Sequence, residues 1–424
     1  MKEDFLQFLW ENKLFKTDNL KTVEGDKVEI LNHGFRNTDA GADFLNAKIK
    51  IDDKIWAGNI EIHFNSSDWN KHKHHENKAY NNVILHVVKN FDKESFRENG
   101  EKIATLILDF NPKIFESFEL MLKNKKWIAC ENEIKSIEFF YTKQWLNRLF
   151  IERLETKSNS IIDVLKQNQF NWEETFYQHL AKNFGQKTNS QPFEMLAKSL
   201  PMKYLAKQKD NLLQIEAMLF GQAGFLDDVY NDEYYNKLKK EYLFLNQKFD
   251  LKPIEKHLWK FLRLRPSNFP TIRIAQFANL IYKSNKLFSK ILEINDLNDI
   301  LDLFDVSASK YWDTHYNFDK ESAEKKKKLG NETVYNIIIN TVIQFLFTYG
   351  KVKKIDTLVE KSIDIAENIK SESNSILDKW KEIGLNSENS LESQALLQLK
   401  NEYCNYDKCT TCQIGRILIK KFNQ

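Results

Sequence analysis

Residues 33–88 read HGFRNTDAGADFLNAKIKIDDKIWAGNIEIHFNSSDWNKHKHHENKAYNNVILHVV. Two runs within them, FLNAKIKI (44–51) and IWAGNIEIHF (55–64), are strand-like, and Asp52-Asp53 between them predicts a tight hairpin turn. Working outward, VEILNHG (28–34), NVILHVV (82–88) and KIATLILDF (102–110) are three further strand candidates, and the opening MKEDFLQFLWENKLFK predicts an amphipathic helix over about 3–15. The segment SSDWNKHKHHENKAYNN between the third and fourth strands is long enough for a crossover, with Ser66 or Ser67 capping a helix that carries Trp69, His72 and Lys73 on successive turns. The expected order is therefore helix, three-strand meander, helix, two strands: a mixed-sheet domain over residues 1–112.

Beyond it the pattern changes to a helical period, as in TKQWLNRLFIERLETKSNSIIDVLK (142–166), WEETFYQHLAKNF (172–184), NLLQIEAMLFG (211–221) and SLESQALLQLKNEY (390–403). Loops such as GQKTNSQPF (185–193) and RPSNFPT (265–271) punctuate these helices. The expected class is α+β, with a large all-α region over 113–403 and a cysteine-bearing segment over 404–424.

Net charge is only +3, from 63 basic and 60 acidic residues, which excludes a polycationic coat for nucleic acid and leaves any such surface to local clustering. The N-terminus lacks the basic start and continuous apolar core of a signal peptide, and the longest apolar stretch, VYNIIINTVIQFLF (334–347), is interrupted by Asn336, Asn340 and Gln344. A cytoplasmic protein without a membrane partner is expected.

The opening stretch also holds six of the nine histidines. Carboxylates and imidazoles are poor strand fillers but good metal ligands and proton carriers. If 44–51 and 55–64 pair, Asp43 and Glu61 meet at one end of the sheet, where they can bind Mg²⁺ or Mn²⁺. Side-chain alternation puts His63 on the Glu61 face, beside that ion, with a nitrogen able to position or deprotonate water. Asp68 and His72, four apart, can add contacts, with His74 and His75 close in sequence. His86, inside VILHVV, reads as either a core histidine or a site member, and His33 is equally open.

This arrangement resembles the PD-(D/E)XK nuclease superfamily: GADF (41–44) is similar to its PD motif with Ala42 in place of proline, and GNIEIH (58–63) to its E-x-K motif with His63 in place of lysine. The resemblance implies Asp43 and Glu61 as metal ligands, His63 in the catalytic-lysine position, and Glu11 in the place of an acid that some members carry on the first helix. Over nearly its full length the chain also resembles a bacterial family defined by domain of unknown function 2851, through GADF, WAGNIEIHFNSSDWNKHKHH, VILHVV, RPSNFPTIRIAQFA and CNYDKCTTCQIG.

Two further groups stand apart. Cys404, Cys409 and Cys412, with Cys130 as a fourth ligand, can hold Zn²⁺ or a [4Fe–4S] cluster, or remain free thiols. Arg263, Arg265 and Arg273 flank a proline-fixed turn at a helix start and can grip the phosphates of a nucleic acid, or bridge between helices instead. The expected activity is metal-dependent phosphodiester hydrolysis in DNA or RNA. The alternatives are a nuclease fold that has lost its chemistry and serves as a nucleic-acid-binding or scaffold protein, and a hydrolase of small phosphoesters.

Overall fold

A computed structural model describes residues 3–37, 39–284 and 286–422. The chain divides into two compact units, one formed by Met1–Trp145 with Leu399–Gln424 and the other by Leu146–Gln398. This partition differs from the boundaries expected at 112 and 403. Sequence pattern separates sheet from helix, whereas the compact unit is set by packing. Helix α3 (Pro112–Lys123) belongs to the first unit because its Phe118 stacks on Phe5 at 4.9 Å. The C-terminal helix Gln413–Lys421 belongs there as well, through an Arg416–Glu11 ion pair of 2.9 Å.

Helix α1 (Glu3–Glu11) buries Phe5, Leu6, Phe8, Leu9 and Trp10, and it ends earlier than the apolar pattern suggests because Lys13 adopts a left-handed conformation. The strands are β1 (Val28–Asn32), β2 (Phe35–Arg36), β3 (Phe44–Ile51), β4 (Lys54–Asn65), β5 (Val83–Asn90) and β6 (Thr105–Ile107). Their order across the sheet is β1-β3-β4-β5-β6, with the short β2 also on β3. The β1–β3 and β3–β4 pairs are antiparallel, and Ile51 faces Lys54 across the two-residue Asp52-Asp53 turn. The β4–β5 and β5–β6 pairs are parallel, so the sheet is mixed. Gly58 is required where β4 approaches the start of β5: a Cβ there would lie 2.5 Å from Asn82 O.

The crossover from β4 to β5 departs from the expected helix. Helix α2 covers only Asp68–Lys71, Lys73 is left-handed, and two 3₁₀ turns follow at His74–Glu76 and Lys78–Tyr80. Neither Ser66 nor Ser67 caps α2 with its side chain. Instead the Asp92 carboxylate accepts from Ser66 Oγ, Ser67 N and Ser67 Oγ at 2.7–2.9 Å. Trp69 is fully buried among Ala42, Val83 and Ile103, which pins the crossover to the sheet.

The Leu146–Gln398 unit is mainly helical, including α4 (Trp172–Phe184) and α5 (Gln186–Ser199), joined to a core rich in stacked aromatics such as Phe176 and Phe288. The stretch 185–193, read as a loop, is helical. Asn189 leaves helical geometry at φ −117°, and this kink places Pro192 in the first turn of a new segment, where proline needs no amide partner. The 334–347 stretch is a buried helix with a π-helical turn at Ile338–Val342.

Candidate metal centre

Glu61 and His63 lie on the same face of β4, and His86 projects from the same side of β5, where it is the Cα partner of Glu61. All three are buried. The left-handed Lys73 stops α2 and turns the chain so that His74 comes back over this face. His74 stacks on Tyr80 at 3.8 Å and on His63 at 5.3 Å, against Trp69. One ligand atom from each of His63, His72 and His74 lies within 4.8 Å of the others. His63 Nε2 is 3.1 Å from His72 Nδ1 and 3.6 Å from Glu61 Oε1, and His74 Nε2 is 3.2 Å from the same Glu61 oxygen. Bonds of 2.0–2.1 Å to one tetrahedral ion would set its ligands about 3.3 Å apart, so shifts of up to about 1.5 Å would seat a cation among these donors. His74 Nε2 is buried and makes no hydrogen bond of good geometry, its neighbour in the cluster being Glu61 Oε1 at 3.2 Å.

Behind the cluster runs a chain of fixed polar contacts. His63 Nδ1 is 2.8 Å from His86 Nε2, and His86 Nδ1 is 2.8 Å from Ser95 Oγ. When His63 Nδ1 and His86 Nδ1 carry the protons, each donates down the chain and His63 Nε2 keeps a lone pair for the cluster. This is how supporting groups orient histidine ligands at metal sites.

Asp43 immediately precedes β3, next to the register shift between Phe44 and Ala47 in the β3–β4 pairing, where Asn46 is left-handed. Its Oδ1 accepts from Gln7 Nε2 at 2.7 Å and its Oδ2 from Ile62 N at 2.9 Å, while its own backbone N–H donates to Glu61 Oε2 at 3.1 Å. Asp43 therefore holds Glu61 in place, and it lies outside the set of donors that converge most tightly.

The electrostatics follow from burial. Loss of water raises Asp43 to about 7, with the neighbouring Glu61 charge adding to the rise and the Ile62 and Gln7 donors opposing it. Burial likewise raises Glu61 to about 8, opposed by the Asp43 N–H. Burial, then the adjacent imidazoles, lower His63 to about 2, and burial lowers His86 to about 3 and His74 below the ordinary histidine value. Burial thus favours the neutral form of His63 and His74, the state in which an imidazole ligates.

The other sequence candidates fall in varied places. Asp68 is buried, which pushes its pKa up, but Lys71 and the Asn65 N–H outweigh that and hold it below the usual range. Its carboxylate is turned to these partners, while exposed His72 reaches His63. Glu11 pairs with Arg416 and, at 3.8 Å, with Arg36. His33 lends its carbonyl to Trp10 Nε1. Sequence reading left His74 in a secondary group and missed Gln7, Tyr80 and Ser95. Only the HKHH run signalled His74, and nothing local signalled the others.

In the helical unit the three arginines separate. Arg273 is 4 % exposed, and its guanidinium donates to Gln276 Oε1, Asn268 Oδ1 and Thr333 Oγ1 at 2.8–3.1 Å. It braces helices and offers nothing to a phosphate. Arg263 is exposed in a left-handed turn. Arg265 lines a polar cleft of about 780 Å³ with Lys182, Lys187, Lys370, Glu332 and Glu372. Among the described residues no helix is long and apolar enough to cross a membrane.

The molecule is an α+β protein whose mixed sheet carries an imidazole-rich candidate metal centre. Its sequence matches the family model described as "Protein of unknown function (DUF2851)" over residues 3–375, and the chain belongs to that family. No curated protein and no solved structure matches it.

Proposed function

We propose that the protein is a metal-dependent hydrolase of phosphodiesters, with nucleic acid as its substrate. One observation carries the reading: three imidazole nitrogens and Glu61 Oε1 converge at the end of β4, with the buried His74 Nε2 among them. The nuclease class draws support from element order. A helix precedes an antiparallel meander, a crossover leads to a parallel strand, Asp43 stands at the head of β3 and Glu61 near the end of β4, in the manner of PD-(D/E)XK proteins.

The donor set suits Mn²⁺ or Zn²⁺ better than Mg²⁺, because Mg²⁺ prefers oxygen ligands and imidazole suits later metals. His63, His72 and His74 would hold the ion and leave a coordination position for water, and the ion would supply Lewis acidity there. The chain's own groups do the rest. The His63–His86–Ser95 chain fixes the His63 tautomer, and Asp43 N–H and Gln7 fix the two carboxylates. Glu61 Oε1, whose proton affinity lies near neutrality, accepts the proton of the attacking water. Exposed His72 is the member that faces incoming substrate.

A second reading, a nuclease-like fold that binds nucleic acid without cutting it, is favoured by the consumption of both Asp43 oxygens in hydrogen bonds. Labelled DNA, RNA and bis(p-nitrophenyl) phosphate, incubated with Mn²⁺ or Zn²⁺ and wild-type, Glu61→Ala or His74→Ala protein, separate the readings. Polymer cleavage by wild type alone is the expected result. Retention of polymer without cleavage would favour the second reading, and turnover of the small ester alone would move the substrate class to small phosphoesters.

A further inference from the structure

Two groups of side chains lie outside the histidine centre and its supports. The cysteines belong to the first unit, where none is in a disulfide, Cys404 is half-buried and Cys130, Cys409 and Cys412 are buried. The other group lines the cleft of about 780 Å³, whose walls all come from the Leu146–Gln398 unit.

Three stretches far apart in sequence each bring one cation to that cleft. Gly185 and the left-handed Gln186 turn the chain sharply into α5, so that Lys187 stands in its first turn at the rim. Glycine is required at this turn, since a Cβ on Gly185 would lie 2.2 Å from Asn189 O. Arg265 precedes the 3₁₀ turn Pro266–Asn268, and Lys370 follows the helix Asp356–Asn368. All three are exposed, and among the described residues none has a carboxylate partner, whereas Lys182 is paired with Glu194 at 2.8 Å.

Between the cations the lining is made of amides and hydroxyls, Thr188, Ser267, Asn336 and Ser373 among them. Partners behind the wall fix two of its amides. Asn183 Nδ2 donates to Asn340 O at 3.1 Å and to Thr341 Oγ1 at 2.9 Å, and Gln186 Nε2 donates to Thr333 Oγ1 at 3.2 Å. Asn340 belongs to the π-helical turn Ile338–Val342, a distortion that recurs at functional sites. Among the described residues Tyr335 is the one aromatic in the lining, and no aliphatic side chain joins it.

This chemistry narrows the ligand. An apolar molecule would find nothing to bury against, and a row of bases no platform to stack on. Phosphates are met by lysine and arginine together with serine, threonine and side-chain amides. A deoxyribose backbone offers no donor between its phosphates, whereas each ribose adds a 2′-hydroxyl that both donates and accepts. The exposed Glu332 carboxylate repels phosphate but accepts from such a hydroxyl, and the Glu372 carboxylate is already held by Gln394. We infer, on the nucleic-acid reading above, that this cleft binds the backbone of single-stranded RNA, with its phosphates on Lys187, Arg265 and Lys370.

The test is fluorescence anisotropy of labelled RNA and DNA strands of matching sequence, titrated with full-length protein in EDTA over about 50–200 mM salt. Three phosphate contacts predict a slope of about −2 in log K against log salt for RNA, and RNA should bind more tightly than DNA. The triple variant Lys187→Ala, Arg265→Ala, Lys370→Ala should lose that slope and bind at least about tenfold more weakly. A control triple, Lys209→Ala, Lys240→Ala, Lys353→Ala, removes exposed lysines elsewhere on the unit and should change neither. In the wild type, bound RNA should shield Lys187 and Lys370, and not Lys353, from amine acetylation read by mass spectrometry, a readout that needs no variant to fold. Equal losses in the two triples, or no shielding, would overturn the cleft as the site. DNA bound as tightly as RNA would overturn the choice of polymer. Cleft binding without cleavage in Mn²⁺ or Zn²⁺ would remove the hydrolase reading alone, and cleavage untouched by the cleft substitutions would remove the cleft alone.

Discussion

The end of β4 and the start of the helix Pro270–Lys283 both drew notice in the sequence as dense groups of polar, functional side chains, yet they folded to opposite outcomes. On β4 the two-residue period keeps Glu61 and His63 on one face, and a returning turn adds His74. At the helix start a 3.6-residue period and a proline turn send Arg273 inward, Arg265 to a cleft and Arg263 to solvent. Proximity in sequence predicts a shared site when the local period is that of a strand, and predicts dispersal when a turn leads into a helix.

The sharpest way to break this contrast is to remove a donor on each side. His74→Ala should weaken Mn²⁺ or Zn²⁺ binding by more than roughly 100-fold, beyond the range of supporting residues. Arg265→Ala should leave that affinity unchanged, and calorimetric titration measures both. Arg273→Met should instead lower stability by about 2 kcal/mol, because it strands the Asn268, Gln276 and Thr333 partners of a buried cation. Urea unfolding checks this, and nucleic-acid affinity should not change beyond the loss of folded protein. Ser95→Ala removes the far end of the imidazole chain and should weaken metal binding by about tenfold, through the tautomer it fixes.

The smallest expected effect concerns pH, measured on metal-stripped protein. His63 and His86 fold neutral, at about 2 and 3 against an ordinary 6.5, so the unfolded chain binds more protons below that value and their contribution is lost as pH falls. Asp43 and Glu61 fold with values near 7 and 8, so the native state holds protons that the unfolded chain releases. Their contribution is present in acid and lost as pH rises toward 8. Between about pH 4.5 and 6.5 the two trends oppose each other; from 6.5 to 8 only the carboxyl trend remains, and stability should fall by about 1 kcal/mol after solvent screening. Bound metal should flatten that decline, since it replaces the protons. Stability that rises over this window in the stripped protein would contradict the carboxyl assignment.

Much of the sheet was legible in the sequence, because alternation, an Asp-Asp turn and a long crossover each have local signatures. The boundaries of α1 and α2 were not, since single left-handed residues, Lys13 and Lys73, ended helices that apolar spacing would have continued. Long-range packing was also invisible. The stacking of Phe118 on Phe5 and the pairing of Arg416 with Glu11 assign segments to the first unit that their helical pattern had placed elsewhere. At the candidate site, Glu61 and His63 could be paired from their spacing alone. His74 depended on a turn, and Ser95 and Gln7 on tertiary contacts that leave no trace in neighbouring residues.

X-ray absorption at the metal edge of Mn²⁺- or Zn²⁺-loaded protein tests the central claim most directly. One ion per chain with nitrogen and oxygen neighbours, and loss of that shell in His63→Ala and His74→Ala, is the predicted result. A shell made of sulfur, or one of nitrogen and oxygen that survives both substitutions, would contradict it.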